Sequence, residues 1–293
     1  MPRFQAEKAE GLLDFLKRKL PGWKTPTLKQ RLKHRLVLIN GVPVTSGATP
    51  LESGDNVEIL AIPPGPAAYL PLGLGSAPLD VLYADDYVLA VDKPPGLLSV
   101  ASERERNLTA IRLMREWLQG LERESGRELH AAHRLDREAS GVLLLARSLE
   151  VKRQLARDWH AFEKVYLAVV DGIPAVPEGS IDAPLWEDKG LFVRVATRGD
   201  GESALTHYRM LRKSGNRSLL EVRLGTGRKH QIRVHLSHIG CPIVGDPRYG
   251  ASKAVRLALH AHRLTLQHPQ DSRRLEIVSP EPSEFNRLMK TGK

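Results

Sequence analysis

Cysteine is almost missing from this chain: 293 residues contain one, Cys241. A lone thiol excludes an intramolecular disulfide and every zinc site built from several cysteines. Its setting, Ile239-Gly240-Cys241-Pro242-Ile243, offers no charge to activate a thiolate, so it reads as a small buried hydrophobe. The first residues, Met1 to Glu7, lack an apolar core of the secretory kind, which points to the cytoplasm. Residues 59–79 carry no charge, but Pro63, Pro64, Pro66, Pro71 and Pro78 exclude an ordinary membrane-spanning helix and make the stretch an extended linker. A Rossmann glycine pattern and a Walker loop are also missing, as are internal repeats and low-complexity tracts. The eleven histidines include His130/His133, His230/His235/His238 and His260/His262, yet none forms His-Glu-x-x-His or has a carboxylate at ligand spacing. A metal-dependent hydrolase is therefore only a minor alternative, and no metal or cofactor is expected. Acids are short of bases, 34 against 44, giving a net charge of +10 that favours a polyanionic partner such as nucleic acid.

What is present is an ordinary globular composition, 41% hydrophobic and 27% charged, long enough for one large or two unequal domains. Residues 7–20 have the spacing of an amphipathic helix, with Leu12, Leu16 and Leu20 on one face. Thr25-Pro26 starts a second helix carrying Leu28 and Leu32 inward. From Lys17 to Arg35 there are eight Lys/Arg and no acid, with Lys17, Arg18, Lys29 and Arg31 as candidate RNA contacts. Asn40-Gly41 between Val37-Leu38-Ile39 and Val42-Pro43-Val44 predicts a hairpin, and Asn56–Leu60 a further strand. Beyond the linker, strands are predicted at 79–83, 88–92, 164–170, 204–211, 219–224 and 259–266, with helices near 109–121 and 151–162. After Gly225, Ile232, Leu236 and Ile239 fall at helical spacing, placing Lys229, His230 and Arg233 on one face.

The stretch His133-Arg134-Leu135-Asp136, followed by Ser140-Gly141 and the aliphatic run Val142–Ala146, has the shape of chemistry. Asp136 sits between two guanidinium side chains at the mouth of a core strand. Arginine stays charged, so a carboxylate held near it stays ionised and can act as nucleophile, base or ion-pair partner. Taken alone, such a pair is more often a structural salt bridge.

The stretch does not stand alone. His-Arg-Leu-Asp with Ser-Gly and a strand resembles the active-site motif of the RluA-type pseudouridine synthases. Asp92-Lys93-Pro94-Pro95-Gly96-Leu97, Lys164-Val165-Tyr166, Thr226–Leu236 and Gly245-Asp246-Pro247-Arg248-Tyr249-Gly250 are similar to that family in its own order. The two short helices, basic run and Asn-Gly hairpin resemble the alpha-L RNA-binding motif of small-subunit ribosomal proteins.

The resemblance implies an α+β chain. A mixed, mainly antiparallel catalytic domain of the pseudouridine synthase fold (79–285) follows a small α+β RNA-binding domain (1–62) and the linker (63–78), with a basic tail at 286–293. It implies isomerisation of uridine in structured RNA, ribosomal RNA before transfer RNA, by a cytoplasmic monomer with no membrane association. Asp136 matches the catalytic aspartate, Arg134 the arginine that displaces the target base, Tyr166 the tyrosine stacked on uracil, and Arg233 the arginine paired with the aspartate. His133, Lys164 and Lys229 are expected to contact substrate or RNA. Ala139, Lys229 and Asp92 depart from the usual family residues at their positions. The alternative is a non-catalytic RNA-binding or ribosome-associated protein of the same fold.

Overall fold

The Asn40-Gly41 pair turns the chain as the sequence requires: both residues have positive φ, 51° and 82°, the condition for a tight hairpin. The computed structural model describes residues 3–23, 25, 28–29, 32, 37–44, 46–59, 77–103, 105, 107–121, 128–188, 190–197, 199, 201–250 and 252–290. The first group of elements is β1 (Arg3–Gln5), β2 (Glu10–Gly11), α1 (Leu12–Lys19), β3 (Val37–Ile39), β4 (Val42–Val44), β5 (Pro50–Leu51) and β6 (Asn56–Ile59). An antiparallel sheet runs β1-β6-β3-β4. Leu12, Phe15 and Leu16 of α1 pack on it with Leu28, Leu32, Val37, Val57 and Ile59.

The first helix starts at Leu12 rather than residue 7, because Glu10-Gly11 pairs as a strand with Pro50-Leu51. The acid-free basic run also meets acids that the fold supplies from just upstream. Lys17 binds Asp14 at 3.2 Å, Arg18 binds Glu10, and Lys19 binds Glu7 at 2.7 Å. Exposed pairs of this kind contribute little, so they leave these cations able to exchange partners. Lys29 is exposed. Arg31, the start of the second helix at Pro26, and the linker up to residue 76 lie outside the described residues.

The second group comprises β7 (Val81–Ala84), β8 (Val88–Lys93), α2 (Ala110–Leu121), β9 (His130–Ala131), β10 (Ser140–Ala146), α3 (Leu149–Asp158), β11 (Glu163–Asp171), β12 (Glu178–Asp182), β13 (Leu185–Glu187), β14 (Val193–Val195), β15 (Leu205–Ser214), β16 (Arg217–Leu224), α4 (Gln231–His238), β17 (Leu259–Gln267), β18 (Arg274–Val278) and α5 (Ser283–Lys290). Among the described residues, ten strands form one sheet in the order β12-β15-β16-β11-β17-β10-β8-β7, with β18 on β17 and β9 on β10. β13 and β14 form a separate hairpin. The expected tail at 286–293 is instead, as far as Lys290, the second half of α5. Phe285, Leu288 and Met289 are spaced to share a helical face and are buried in the core beside β11 and β16. The basic Arg287 and Lys290 disguise that spacing. No helix among the described residues is long and apolar enough to cross a membrane.

Among the described residues, every pairing in the large sheet is antiparallel except one. β10 and β17 run parallel and meet only through Ser140↔His260 and Gly141↔Ala261. This seam positions the site, because Ala261 is in turn opposite Tyr166 on β11. Gly141 adopts φ +108°, and a Cβ there would lie 2.2 Å from the Ala261 carbonyl oxygen. We expect Gly141→Ala to cost about 3 kcal/mol or more, from left-handed strain plus a backbone clash. A thermal melt should show Tm lowered by roughly 6–12 °C; an unchanged Tm would mean the seam relaxes without cost.

Candidate active site

The loop carrying Asp136 is held from outside itself. The end of β8 and the segment after it supply the clamp, built on Lys93, whose side chain is fully buried. Its Nζ donates to the carbonyls of Pro94 (2.9 Å), Leu97 (2.8 Å) and Arg137 (3.2 Å). Gly96 N–H donates to the Arg137 carbonyl at 2.8 Å, and Arg137 Nε returns a bond to the Gly96 carbonyl at 3.0 Å. Ser99 Oγ donates to the Leu135 carbonyl at 3.0 Å and accepts the Leu135 N–H at 2.9 Å. Asp136 is thereby bracketed on both sides. Burial pulls the Lys93 pKa down to about 8, against the pull of the Glu138 and Asp136 charges. Lys93→Met leaves three carbonyls without their shared donor, so we expect a loss of about 2–3 kcal/mol in denaturant melts. Turnover at low temperature should fall less than about tenfold, because Lys93 holds the loop and reaches no reacting atom.

Asp136 faces Arg233 across the cleft. Arg233 NH1 donates to Asp136 Oδ2 at 3.0 Å; among the described residues Oδ1 accepts nothing. Arg233 projects from α4, is 3% exposed, and owes its position to Asp246. Its Nε donates to Asp246 Oδ2 and its NH2 to Asp246 Oδ1, both at 2.8 Å. Asp246 Oδ1 also accepts the backbone N–H groups of Arg248 (2.8 Å) and Tyr249 (3.1 Å), which anchors it independently of the arginine. Burial acts to lower the Arg233 pKa, but the Asp246 bonds and the two carboxylate charges outweigh it and hold the pKa above the ordinary arginine value. Burial likewise opposes the Asp246 charge, and Arg233 with the two N–H donors overcomes it, so its pKa is lowered.

A cavity of about 300 Å³ opens beside this pair, walled by Ala139, Tyr166, Leu224, Ile232 and Leu259 and rimmed by Arg134. Tyr166 is brought there by the seam. Burial, helped by the Asp136 charge, pushes its pKa up, so the resting side chain is a phenol with a proton to give. Arg134 is exposed and has no hydrogen-bonded or charged partner among the described residues.

Other expected contacts are placed differently. His133 lines the cavity, but its Nε2 accepts the Leu144 N–H at 3.0 Å and its ring stacks on Trp159 at 4.6 Å. Burial pushes its pKa down to about 4, so it stays neutral and serves the loop more than an RNA phosphate. Lys164 is buried, donates to the Trp159 carbonyl at 3.0 Å and lies over that ring. Lys229 stands outside the cavity wall, paired with Glu187 of β13. Asp92 takes a bond from Ser279 Oγ at 2.7 Å and belongs to a separate pocket with Arg256 and His260. Lys17 and Arg18 lie on α1 and Lys29 is likewise helical, and none of the three lines this cavity. Sequence reasoning missed Asp246, His230 and Trp159 as parts of the site. Asp246 had a signal: a buried arginine with donors in a fork needs a second carboxylate besides Asp136.

A caged carboxylate, a protonated phenol and flat apolar walls suit a detached planar base beside a sugar carbon that gains positive charge. A family model described as RNA pseudouridylate synthase matches residues 87–238, and one for the S4 domain matches residues 10–57. The chain belongs to the RNA pseudouridylate synthase family. It is 34% identical to "Ribosomal large subunit pseudouridine synthase D" of Xanthomonas campestris pv. campestris, over 98% of this chain and 88% of that one. The protein of the same name in Zymomonas mobilis is 31% identical over 99% of this chain and 98% of its own length. Among solved structures, human RNA pseudouridylate synthase domain containing 4 superposes with a TM-score of 0.61 at 26% identity, covering 71% of this chain and 90% of that one. The protein is thus an RNA pseudouridine synthase, an isomerase with an N-terminal RNA-binding S4 domain. The mixed, mainly antiparallel fold expected from the sequence is the fold observed.

Proposed function

We propose that isomerisation runs on Asp136, Tyr166 and Arg233, with Arg134 as the residue that displaces the target base. Extruding a nucleotide costs a few kcal/mol (~2–5), and an exposed arginine at the rim, without a partner among the described residues, is suited to fill the vacated stack. The uracil then lies against Tyr166. As the N1–C1′ bond breaks, the Asp136 carboxylate stabilises or attacks the cationic sugar carbon, as in glycosidases. Arg233 keeps that carboxylate ionised when the nucleotide excludes water. The freed base turns within the apolar walls, C5 bonds to C1′, C5 gives up its proton and N1 gains one. The observation that carries this reading is the Asp136–Arg233 contact of 3.0 Å beside Tyr166 in one cavity.

The target we infer is large-subunit ribosomal RNA, the substrate class in the names of the Xanthomonas and Zymomonas relatives. The basic N-terminal module, residues 1–62, would add affinity for structured RNA to the catalytic domain beginning at 79. In this reading the enzyme acts in the cytoplasm and as a monomer. The test is tritium release from C5-labelled uridine in purified RNAs. Release from large-subunit ribosomal RNA is expected; release from transfer RNA alone overturns the target, and release from neither overturns the assignment of the site.

A further inference from the structure

His230 lines the catalytic cavity, yet the chemistry above gives it no task. Its Nε2 stands 3.9 Å from Asp136 Oδ2, the same oxygen that takes the Arg233 bond. Its Nδ1 lies 3.0 Å from the Tyr249 hydroxyl. That hydroxyl oxygen already accepts the Val193 backbone N–H at 3.2 Å. A phenol has a single proton, and no other described acceptor lies at this one, so its donation to Nδ1 is the arrangement that gives that proton a partner. A neutral imidazole that accepts at Nδ1 carries its hydrogen on Nε2. The hydrogen therefore points toward Asp136.

Two further observations agree. His230 holds a left-handed backbone, φ +53°, immediately before α4, a strained conformation for a residue with a side chain and one concentrated at functional sites. The ring also stays neutral: burial lowers its pKa, Asp136 opposes that, and Arg233, Arg248 and Lys229 add to the fall.

We propose that His230 is a positioning residue for the isomerisation, an Nε2–H donor that joins Arg233 on Oδ2 of Asp136 and leaves Oδ1 to meet the ribose. The proposal rests on Asp136 being the reacting carboxylate. One donor leaves a carboxylate free to turn about Cβ–Cγ; two on the same oxygen fix its plane. The gap of 3.9 Å is too long for a direct hydrogen bond and closes when the nucleotide enters, since site hydrogen bonds tighten in the complex.

Glutamine and asparagine separate this role from a structural one. A glutamine amide nitrogen takes the place of Nε2, whereas an asparagine amide oxygen takes the place of the Nδ1 acceptor and reaches no further. We expect His230→Gln to lose about threefold in kcat for tritium release, and His230→Asn about a hundredfold, the low end of what one preorganised donor contributes. KM should stay within about twofold for both, because His230 holds no phosphate. If asparagine works as well as glutamine, the ring merely fastens Tyr249 and the proposal is wrong. A second measurement needs no variant: ¹⁵N shifts of labelled histidine in the full-length protein should place the His230 proton on Nε2, and a proton on Nδ1 overturns the inference. Asp136→Asn run in parallel separates the two failures. If that variant still turns over, the choice of carboxylate fails, whatever the order of the His230 variants.

Discussion

Asp136→Asn should reduce tritium release by at least about a thousandfold while leaving the RNA Kd within about threefold. Asparagine keeps the shape and can still accept the Arg233 N–H now found at 3.0 Å, so the fold and the cleft survive. What it lacks is the charge on the second oxygen. A neutral amide neither stabilises a cationic C1′ nor forms a bond to it, and losses when the sole nucleophile is removed are of this size or larger. Affinity comes mainly from cations meeting phosphates. Deleting one anion from the cleft removes repulsion, so binding can only hold or tighten. Activity and affinity thus separate, and a non-catalytic RNA-binding role would not separate them. Turnover surviving in a purified Asp136→Asn protein would transfer the chemistry to another residue.

The second large effect is expected at Asp246. Arg233 is 3% exposed and the Asp246 side chain wholly buried, so the pair is a desolvated ion pair held by two bonds of 2.8 Å. Asp246→Asn leaves a buried guanidinium with only Asp136 to balance it, and breaking such a pair costs about 3–5 kcal/mol. Arg233 is then free to swing fully onto Asp136 and occupy the oxygen meant for the sugar. We therefore expect a fall in Tm together with a drop in kcat of about a hundredfold at temperatures where the variant is folded. The pH dependence carries a sign. The folded pKa of Asp246 is lowered, so its stabilisation is fully present above the ordinary aspartate value of about 3.9 and is lost as pH falls through the depressed folded value. The stability gap between wild type and Asp246→Asn should accordingly be widest near neutral pH and shrink below about pH 4. A gap constant down to pH 2 would mean that the anion at 246 is not what holds Arg233.

Local patterns in the chain were informative wherever a short stretch decides its own conformation. The Asn40-Gly41 hairpin and the helix after Gly225 follow from turn chemistry and apolar period, and both are present. Residues 286–290 were read as part of a basic tail because α5 hides three buried side chains among charges, and β18 was not predicted because it alternates over only five residues. His133 and Lys164 show a different limit. Their residue types suggest RNA contacts, but burial and a backbone partner turn each toward the protein.

The ordered motifs, through the family they resemble, implied the reaction and the residues proposed for it: Asp136 beside arginines, Tyr166 in a strand, Arg233 on a helix. Those assignments depend on residues close together in the chain, or on ordered motifs that a linear reading can see. Three-dimensional packing alone decided how they meet. The Asp136–Arg233 bond spans 97 positions, and the Lys93 clamp on Arg137 spans 44. The first reaches across the parallel seam at which Gly141 lies against Ala261, and the second follows from the antiparallel pairing of β8 with β10. A side-chain contact of that range is set by strand register and close backbone approach, and neither leaves a mark in the local spacing of residues.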